Sequence, residues 1–329
     1  MSNSVKTYTT PLFLLLLIFS LTIIRIAPIQ ANPGLVLTVK TEKQKYYAND
    51  SVLVYGNLTL DEVLVTDGLV GLQLQTSEDK LLTIRTLSTG TLPPTTPYVK
   101  LWHVIPCNSS GGPQSSFKKG TLAYFKIEIT NYDIQTREAL MSINTYYPDN
   151  TPFGFASIQT TLSPQSTSTF TISIPIPTDA ILGTASAYAN AYTEWPKQGG
   201  TPYCNEQKGV YQIIDSGGAS HTAQEFSTSE TDETGNFNLT LTLPKKSPPG
   251  NYTIYVTSRY LGEEAFNSTT FKVLILGDID GDDDIDGDDL TLFIIAYNLE
   301  YNPKADLDFN GDIDGDDLTL FIINYNLYA

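Results

Sequence analysis

From Leu35 to Val273, apolar and polar residues alternate with a period of two, broken by Gly, Pro and Asn turns. Phe125-Lys126-Ile127-Glu128-Ile129, Phe170-Thr171-Ile172-Ser173-Ile174, Val52-Leu53-Val54-Tyr55 and Tyr252-Thr253-Ile254-Tyr255-Val256 all show it. Alternation places every second side chain on one face, so these runs predict half-buried strands. No stretch here keeps a helical period. Short strands at this spacing predict β-sandwiches, and about 240 residues exceed one ordinary sandwich, so two are expected.

The pattern changes near the end of the chain. Leu290-Thr291-Leu292-Phe293-Ile294-Ile295 and Leu318-Thr319-Leu320-Phe321-Ile322-Ile323 lie 28 residues apart and predict two short helices, apolar on nearly every side. Each follows an acidic loop of twelve residues, Asp278 to Asp289 and Asp306 to Asp317. Acidic side chains crowded at positions 1, 3, 5, 9 and 12 repel unless a hard cation neutralises them, and this spacing is the oxygen cage of a calcium loop. Two Ca2+ ions are therefore expected. Asp278, Asp280, Asp282, Asp284, Asp286 and Asp289 would hold the first. Asp306, Asp308, Asn310, Asp312, Asp314 and Asp317 would hold the second. The position-7 residues, Asp284 and Asp312, would act through their backbone carbonyls. Position 6 needs a left-handed turn, which Gly311 supplies; Asp283 departs, so the first site is expected to be the more strained. At position 8, Ile285 and Ile313 are expected to face each other across a short pairing.

Position 12 is Asp, each loop is followed by one helix, and no helix precedes it. Over residues 276–329 this doubled pattern resembles type I dockerin domains. The resemblance implies a calcium-dependent module that docks onto a cohesin-like partner. The partner-reading positions would be Gly287, Asp288 and Leu292 in the first repeat and Gly315, Asp316 and Leu320 in the second. Familiar dockerins often carry Ser or Thr where Gly287 and Gly315 stand. The surplus of apolar helix residues is expected to form a partner surface, against another protein or the neighbouring domain.

The chain holds 36 acidic and 19 basic residues. From Gly277 onward the net charge is −14, leaving −3 for the rest. Acidity is thus local ligand charge, and nucleic-acid binding, which needs basic patches, is excluded. Lys6, the apolar run Leu12 to Ile24 and Ile29-Gln30-Ala31 form a signal-peptide pattern over residues 1–31. The mature protein is expected to be secreted or held at the cell surface, with no transmembrane segment after cleavage. In an exported chain the pair Cys107 and Cys204 predicts a disulfide. Sequons begin at Asn49, Asn57, Asn108, Asn238, Asn251 and Asn267, and Asn57, Asn238 and Asn251 fall in the outward phase of their strands, so glycosylation is expected if the host glycosylates.

Tyr46-Tyr47-Ala48-Asn49-Asp50-Ser51-Val52-Leu53-Val54-Tyr55-Gly56 resembles the opening of macroglobulin-like and related Ig-like surface repeats, with Asn49 at the turn glycine. The endings of such repeats come only at Thr231 to Phe237, Pro249 to Tyr252 and Phe271 to Val273. One Ig-like sandwich, residues 34–92 plus 222–275, is therefore expected to be interrupted by a second, residues 97–216. The alternative is three consecutive small sandwiches. The expected fold class is mainly β: two Ig-like sandwiches plus a small α-helical, calcium-binding dockerin-like domain.

No Gly-x-Ser-x-Gly, His-Glu-x-x-His or phosphate loop is present, so no enzyme is expected. Trp195 and Tyr203 lie in a Gly/Pro-rich loop and could stack on sugar rings, which gives the alternative of a polysaccharide-binding accessory protein. A glycoside hydrolase with an unrecognised cleft is the remaining reading.

Overall fold

The computed structural model describes residues 34–90, 98–215, 235–282, 284–299 and 301–328. The leader, the linkers at Pro93–Pro97 and Ser216–Ser220, and Asp283 lie outside these residues. The fold is mainly β, as the alternation predicts, with two helices near the C-terminus.

Seven strands come first: β1 (Leu35–Leu37), β2 (Lys40–Thr41), β3 (Lys45–Tyr46), β4 (Ser51–Leu60), β5 (Val63–Leu64), β6 (Leu69–Gln75) and β7 (Leu81–Ser88). Eight follow: β8 (Val99–Cys107), β9 (Ser116–Lys118), β10 (Leu122–Asn131), β11 (Arg137–Tyr146), β12 (Pro152–Leu162), β13 (Ser166–Pro175), β14 (Gly183–Tyr192) and β15 (Gln207–Ile214). Then come β16 (Asn236–Thr242), β17 (Gly250–Tyr260) and β18 (Glu263–Val273), and the helices α1 (Gly287–Asn298) and α2 (Gly315–Tyr328).

Strands β1, β4 and β16 form one sheet, with β2 and β5 on β4; β3-β18-β17-β6-β7 form the sheet facing it. Val52, Val54, Phe237, Leu239, Leu241, Ile254 and Phe271 meet in the core between them. Val52 stands opposite Leu241 across an antiparallel ladder, and Gly56 opposite Phe237. A Cβ at Gly56 would lie 2.0 Å from the Thr38 carbonyl oxygen, so this position takes only glycine. The chain leaves this core after β7 and rejoins it at β16. In between, β13-β10-β8 and β12-β11-β14-β15-β9 enclose a second core. The alternating Phe125, Ile127 and Ile129 face inward there, against Ala185, Ala187, Ala189 and Ala191 of β14. Each fully buried large apolar side chain contributes about 1.5–3 kcal/mol.

The two sandwiches join along β7, an edge strand whose free N–H and C=O groups need partners. Asn144 of β11 supplies them: its Oδ1 accepts from Ile84 N (3.0 Å) and its Nδ2 donates to Ile84 O (2.6 Å). The Tyr192 hydroxyl donates to the Arg85 carbonyl and accepts from Thr86 Oγ1. Arg85 binds Glu206 through two hydrogen bonds, 2.8 and 2.6 Å, with only 8 and 7% of the side chains exposed. Its guanidinium lies 3.5 Å from the centroid of the Tyr188 ring.

The disulfide expectation is corrected: Cys107 and Cys204 are free thiols, both buried. Cys204 Sγ accepts a hydrogen bond from Leu101 N, at the opposite end of β8 from Cys107. Cys107 lies six strand steps beyond Leu101, about 20 Å, whereas a disulfide needs Cα atoms within about 7 Å. Burial pushes the Cys204 thiol up to about 11.

Reduction should therefore leave the melting temperature unchanged, and a thiol reagent should count two thiols, reactive only after denaturation. Reductant-sensitive stability would contradict the free-thiol geometry. At the junction, Glu206→Gln leaves Arg85 buried without its counter-charge and should cost about 3–5 kcal/mol in urea unfolding. Arg85→Met combined with Glu206→Leu should recover most of that loss.

Candidate metal centre

The chain passes from β18 into the C-terminal segment without a linker; Leu274 N donates to the Tyr46 carbonyl. The segment's core is built from pairs 28 residues apart: Ile279 with Leu307, Ile285 with Ile313, and Phe293 with Phe321. The Phe293 and Phe321 rings stand 5.2 Å apart between centroids. Ile285 and Ile313 join this core, but no β-bridge links them among the described residues. Each helix begins on the acidic loop before it. Asp286 caps α1 by accepting from Asp288 N, and Asp289 answers by accepting from Asp286 N. Asp314, Asp316 and Asp317 repeat this at α2.

Both loops fold the same way. The position-12 carboxylate reaches back across its loop: Asp289 accepts from the amides of Ile279, Asp280 and Asp286, and Asp317 from those of Leu307, Asp308 and Asp314. The position-1 carboxylate accepts from the far side, Asp278 from Gly281 and Asp282, Asp306 from Asn310 and Gly311. Carboxylate oxygens consequently converge within 4.8 Å in four groups: Asp278, Asp280, Asp282 with Asp289; Asp284, Asp286 with Asp289; Asp306, Asp308 with Asp317; Asp312, Asp314 with Asp317. Asp278, Asp289 and Asp317 are fully buried and Asp306 nearly so. Among the described residues no ion pair reaches Asp289, Asp306 or Asp317. Buried carboxylates without a counter-charge are costly, and an all-oxygen donor set suits a hard cation, so these clusters could hold a metal ion.

Glycine has changed places between the loops. Gly311 adopts φ 99° at position 6, as expected. In the first loop the left-handed glycine is Gly281 (φ 86°) at position 4, where the second loop has Phe309, also left-handed at φ 59°. A bulky residue in this region stores strain. Gly281 at position 4 and the missing glycine at position 6 are both readable in the sequence; the backbone adds that position 4 is left-handed in both loops.

Gly287, Asp288, Gly315 and Asp316 are exposed. Leu292 and Leu320, expected to read a partner, are half-buried and pack against the helical core. The exposed apolar residues are Leu290, Ile294, Ile295 and Tyr297 on α1 and Ile322, Ile323 and Tyr325 on α2.

Of the sequons, Asn108, Asn238 and Asn251 are exposed, and Asn49 and Asn57 half-buried. Asn49 takes the left-handed conformation (φ 67°) expected of the turn position. Asn267 is tied down: its Nδ2, the atom a glycan would need, donates to the Leu37 carbonyl at 2.8 Å. Trp195 is half-buried against Phe155, and the Tyr203 hydroxyl donates to the Glu138 carbonyl; both anchor their loop rather than standing clear of it. Among the described residues no helix is long and apolar enough to cross a membrane.

No protein-family model matches the chain, and no curated protein matches it. Among solved structures, the alkylpurine DNA glycosylase AlkC of Pseudomonas fluorescens aligns at 7% identity and TM-score 0.27, over 36% of this chain and 31% of its own. The C-terminal domain of wzt aligns at 11% identity and TM-score 0.32, over 43 and 87%. The CARDB domain of the Pyrococcus furiosus protein PF1109 aligns at 12% identity and TM-score 0.26, over 38 and 96%. This chain thus spans under a third of AlkC, and scores this low decide nothing about its function.

Asp280, Asp284 and Asp308 are held above the usual carboxylate range, first by desolvation and further by the aspartates beside them. A carboxyl raised in the folded chain lends stability below its unfolded value of ~3.9 and loses it as pH rises through the raised value. In chelator, the C-terminal segment should therefore resist protease better at about pH 4 than at about pH 7. With the cation present the order should reverse, because protons compete for the same oxygens. Greater resistance at neutral pH in chelator would contradict this.

Proposed function

We propose that residues 276–329 form a calcium-dependent docking module on an exported, non-catalytic protein of two β-sandwiches. The observation that carries this reading is the pair of clusters around Asp278/Asp289 and Asp306/Asp317, buried and repeated 28 residues apart. Five side-chain positions and one carbonyl per loop supply more protein oxygens than Mg2+, which keeps its waters, accepts; Ca2+ takes six to eight at relaxed geometry. The ion would be held by the residues named above, and its chemistry would be charge neutralisation rather than catalysis.

The exposed apolar residues on α1 and α2 support docking. A module this small cannot bury them itself, and the matching positions 294/322, 295/323 and 297/325 offer two related faces. The type I dockerin resemblance makes a cohesin-like domain the partner class. Gly287 and Gly315, in place of hydroxyl residues, leave apolar contact and the exposed Asp288 and Asp316 to set specificity.

Calorimetry of the mature chain should show two calcium ions bound, falling to one in Asp289→Ala and in Asp317→Ala, with magnesium much weaker. Ile294→Lys with Ile322→Lys should abolish capture by a cohesin panel while two ions still bind. No calcium heat at millimolar concentration would end this reading.

A further inference from the structure

The first sandwich reaches the backbone of the acidic loops. The Tyr47 hydroxyl donates to the Asp278 carbonyl (2.7 Å) and Lys45 Nζ to the Gly281 carbonyl (2.8 Å). Lys304, whose ammonium lies 5.4 Å from the Tyr47 ring centroid, donates to the Ile279 carbonyl. On the other loop, Lys245 Nζ donates to the Asp308 carbonyl (3.1 Å) and lies 5.6 Å from the centroid of the Phe309 ring. The turn bearing Tyr47 is itself fixed: Asp50 accepts from Tyr47 N, and Leu243 N donates to the Asp50 carbonyl. A cleft of about 420 Å³ runs along this seam, lined in part by Asn49, Tyr301 and Phe309. The left-handed Phe309, where the other loop has glycine, places an aromatic ring beside Lys245. Strain kept at such a contact points to a role for the contact.

We infer that cation loading of the first loop and ordering of the 45–50 turn are one coupled equilibrium, with Tyr47 the positioning residue that links them. This rests on the calcium reading above. The carbonyls of Asp278, Ile279 and Gly281 lie where Tyr47, Lys304 and Lys45 meet them only when the loop is folded, and such a loop folds around its ion. Whatever the sandwich adds to the folded loop it adds to the ion's affinity, and by linkage the ion orders the turn to the same extent. Tyr47 is the clean probe, because Tyr47→Phe removes one partly buried hydrogen bond without altering charge.

The test uses the mature chain in two single-site backgrounds. With Asp317→Ala leaving only the first loop, Tyr47→Phe should weaken calcium binding by about three- to ten-fold in calorimetry, the worth of one hydrogen bond. With Asp289→Ala leaving only the second, the same change should stay within about two-fold, as expected of separate sites. Hydrogen exchange gives an independent readout: amides of residues 45–50 should gain protection with calcium in the wild type and lose that response in Tyr47→Phe. Equal weakening at both loops, no weakening, or a turn indifferent to calcium while two ions bind would overturn the coupling alone. A wild-type chain that binds no calcium would remove the metal reading and the coupling together.

Discussion

The open edge of β7 is the constraint around which the body of this protein is arranged. An edge strand with unpaired backbone groups invites aggregation, and covering it with an apolar surface would leave those groups unsatisfied. Asn144 pairs Ile84 on both its N–H and C=O, standing in for a neighbouring strand. Tyr192 does the same for the Arg85 carbonyl. Arg85 must then be neutralised where it is buried, which explains the bidentate Glu206 and the Tyr188 ring against its face. Gly71 completes the seam, since a Cβ there would lie 2.7 Å from Tyr192. The join between the sandwiches therefore adds directional polar contacts to the buried apolar cluster of Ile84, Leu140 and Tyr192. A chain interrupted for more than a hundred residues between β7 and β16 keeps a defined geometry because of it.

The C-terminal segment meets the opposite problem. Its apolar core is small, seven buried side chains among the described residues, and a large negative charge is folded around it. The position-12 aspartates resolve the backbone part by capping the helices and gathering the loop amides. They do not resolve the charge, which is why a cation is the natural completion of the fold under the proposed reading. The first sandwich contributes lysines and a tyrosine to loop carbonyls, leaving carboxylate lone pairs to be shared with an ion.

The sandwich strands were legible in the sequence because period-two alternation follows directly from strand geometry: Phe125, Ile127 and Ile129 read as inward-facing and are buried. The acidic loops were legible for the same kind of reason, since ligand spacing is a local property of the chain. What the sequence could not provide was anything fixed by contacts distant along the chain. Cys107 and Cys204 looked like a pair from compartment and number alone, but Cys204 bonds Leu101 near one end of β8 while Cys107 stands at the other. Leu292 and Leu320 looked like surplus apolar residues beside Ile294 and Ile322, yet helix rotation leaves the leucines half-buried against the core and the isoleucines exposed. Neither Tyr47, at an unspecified position of the opening pattern, nor Lys245 was marked by the sequence, and only the docked geometry singles them out.

That rotation also limits how a partner could approach. The faces of the loops at positions 1 to 4 are turned toward the first sandwich by Tyr47, Lys45 and Lys245. Ile294, Ile295 and Tyr297 on α1, and Ile322, Ile323 and Tyr325 on α2, stay exposed. A partner engaging these helices therefore need not displace the sandwich, and the sandwich contacts need not release for docking. The two helices present matching residues, but the contacts behind them differ: the first loop meets Tyr47 and Lys45, the second Lys245. Near-identical sequence thus yields two surfaces with unequal support, and any preference between two docking orientations would arise from that support rather than from the helices themselves.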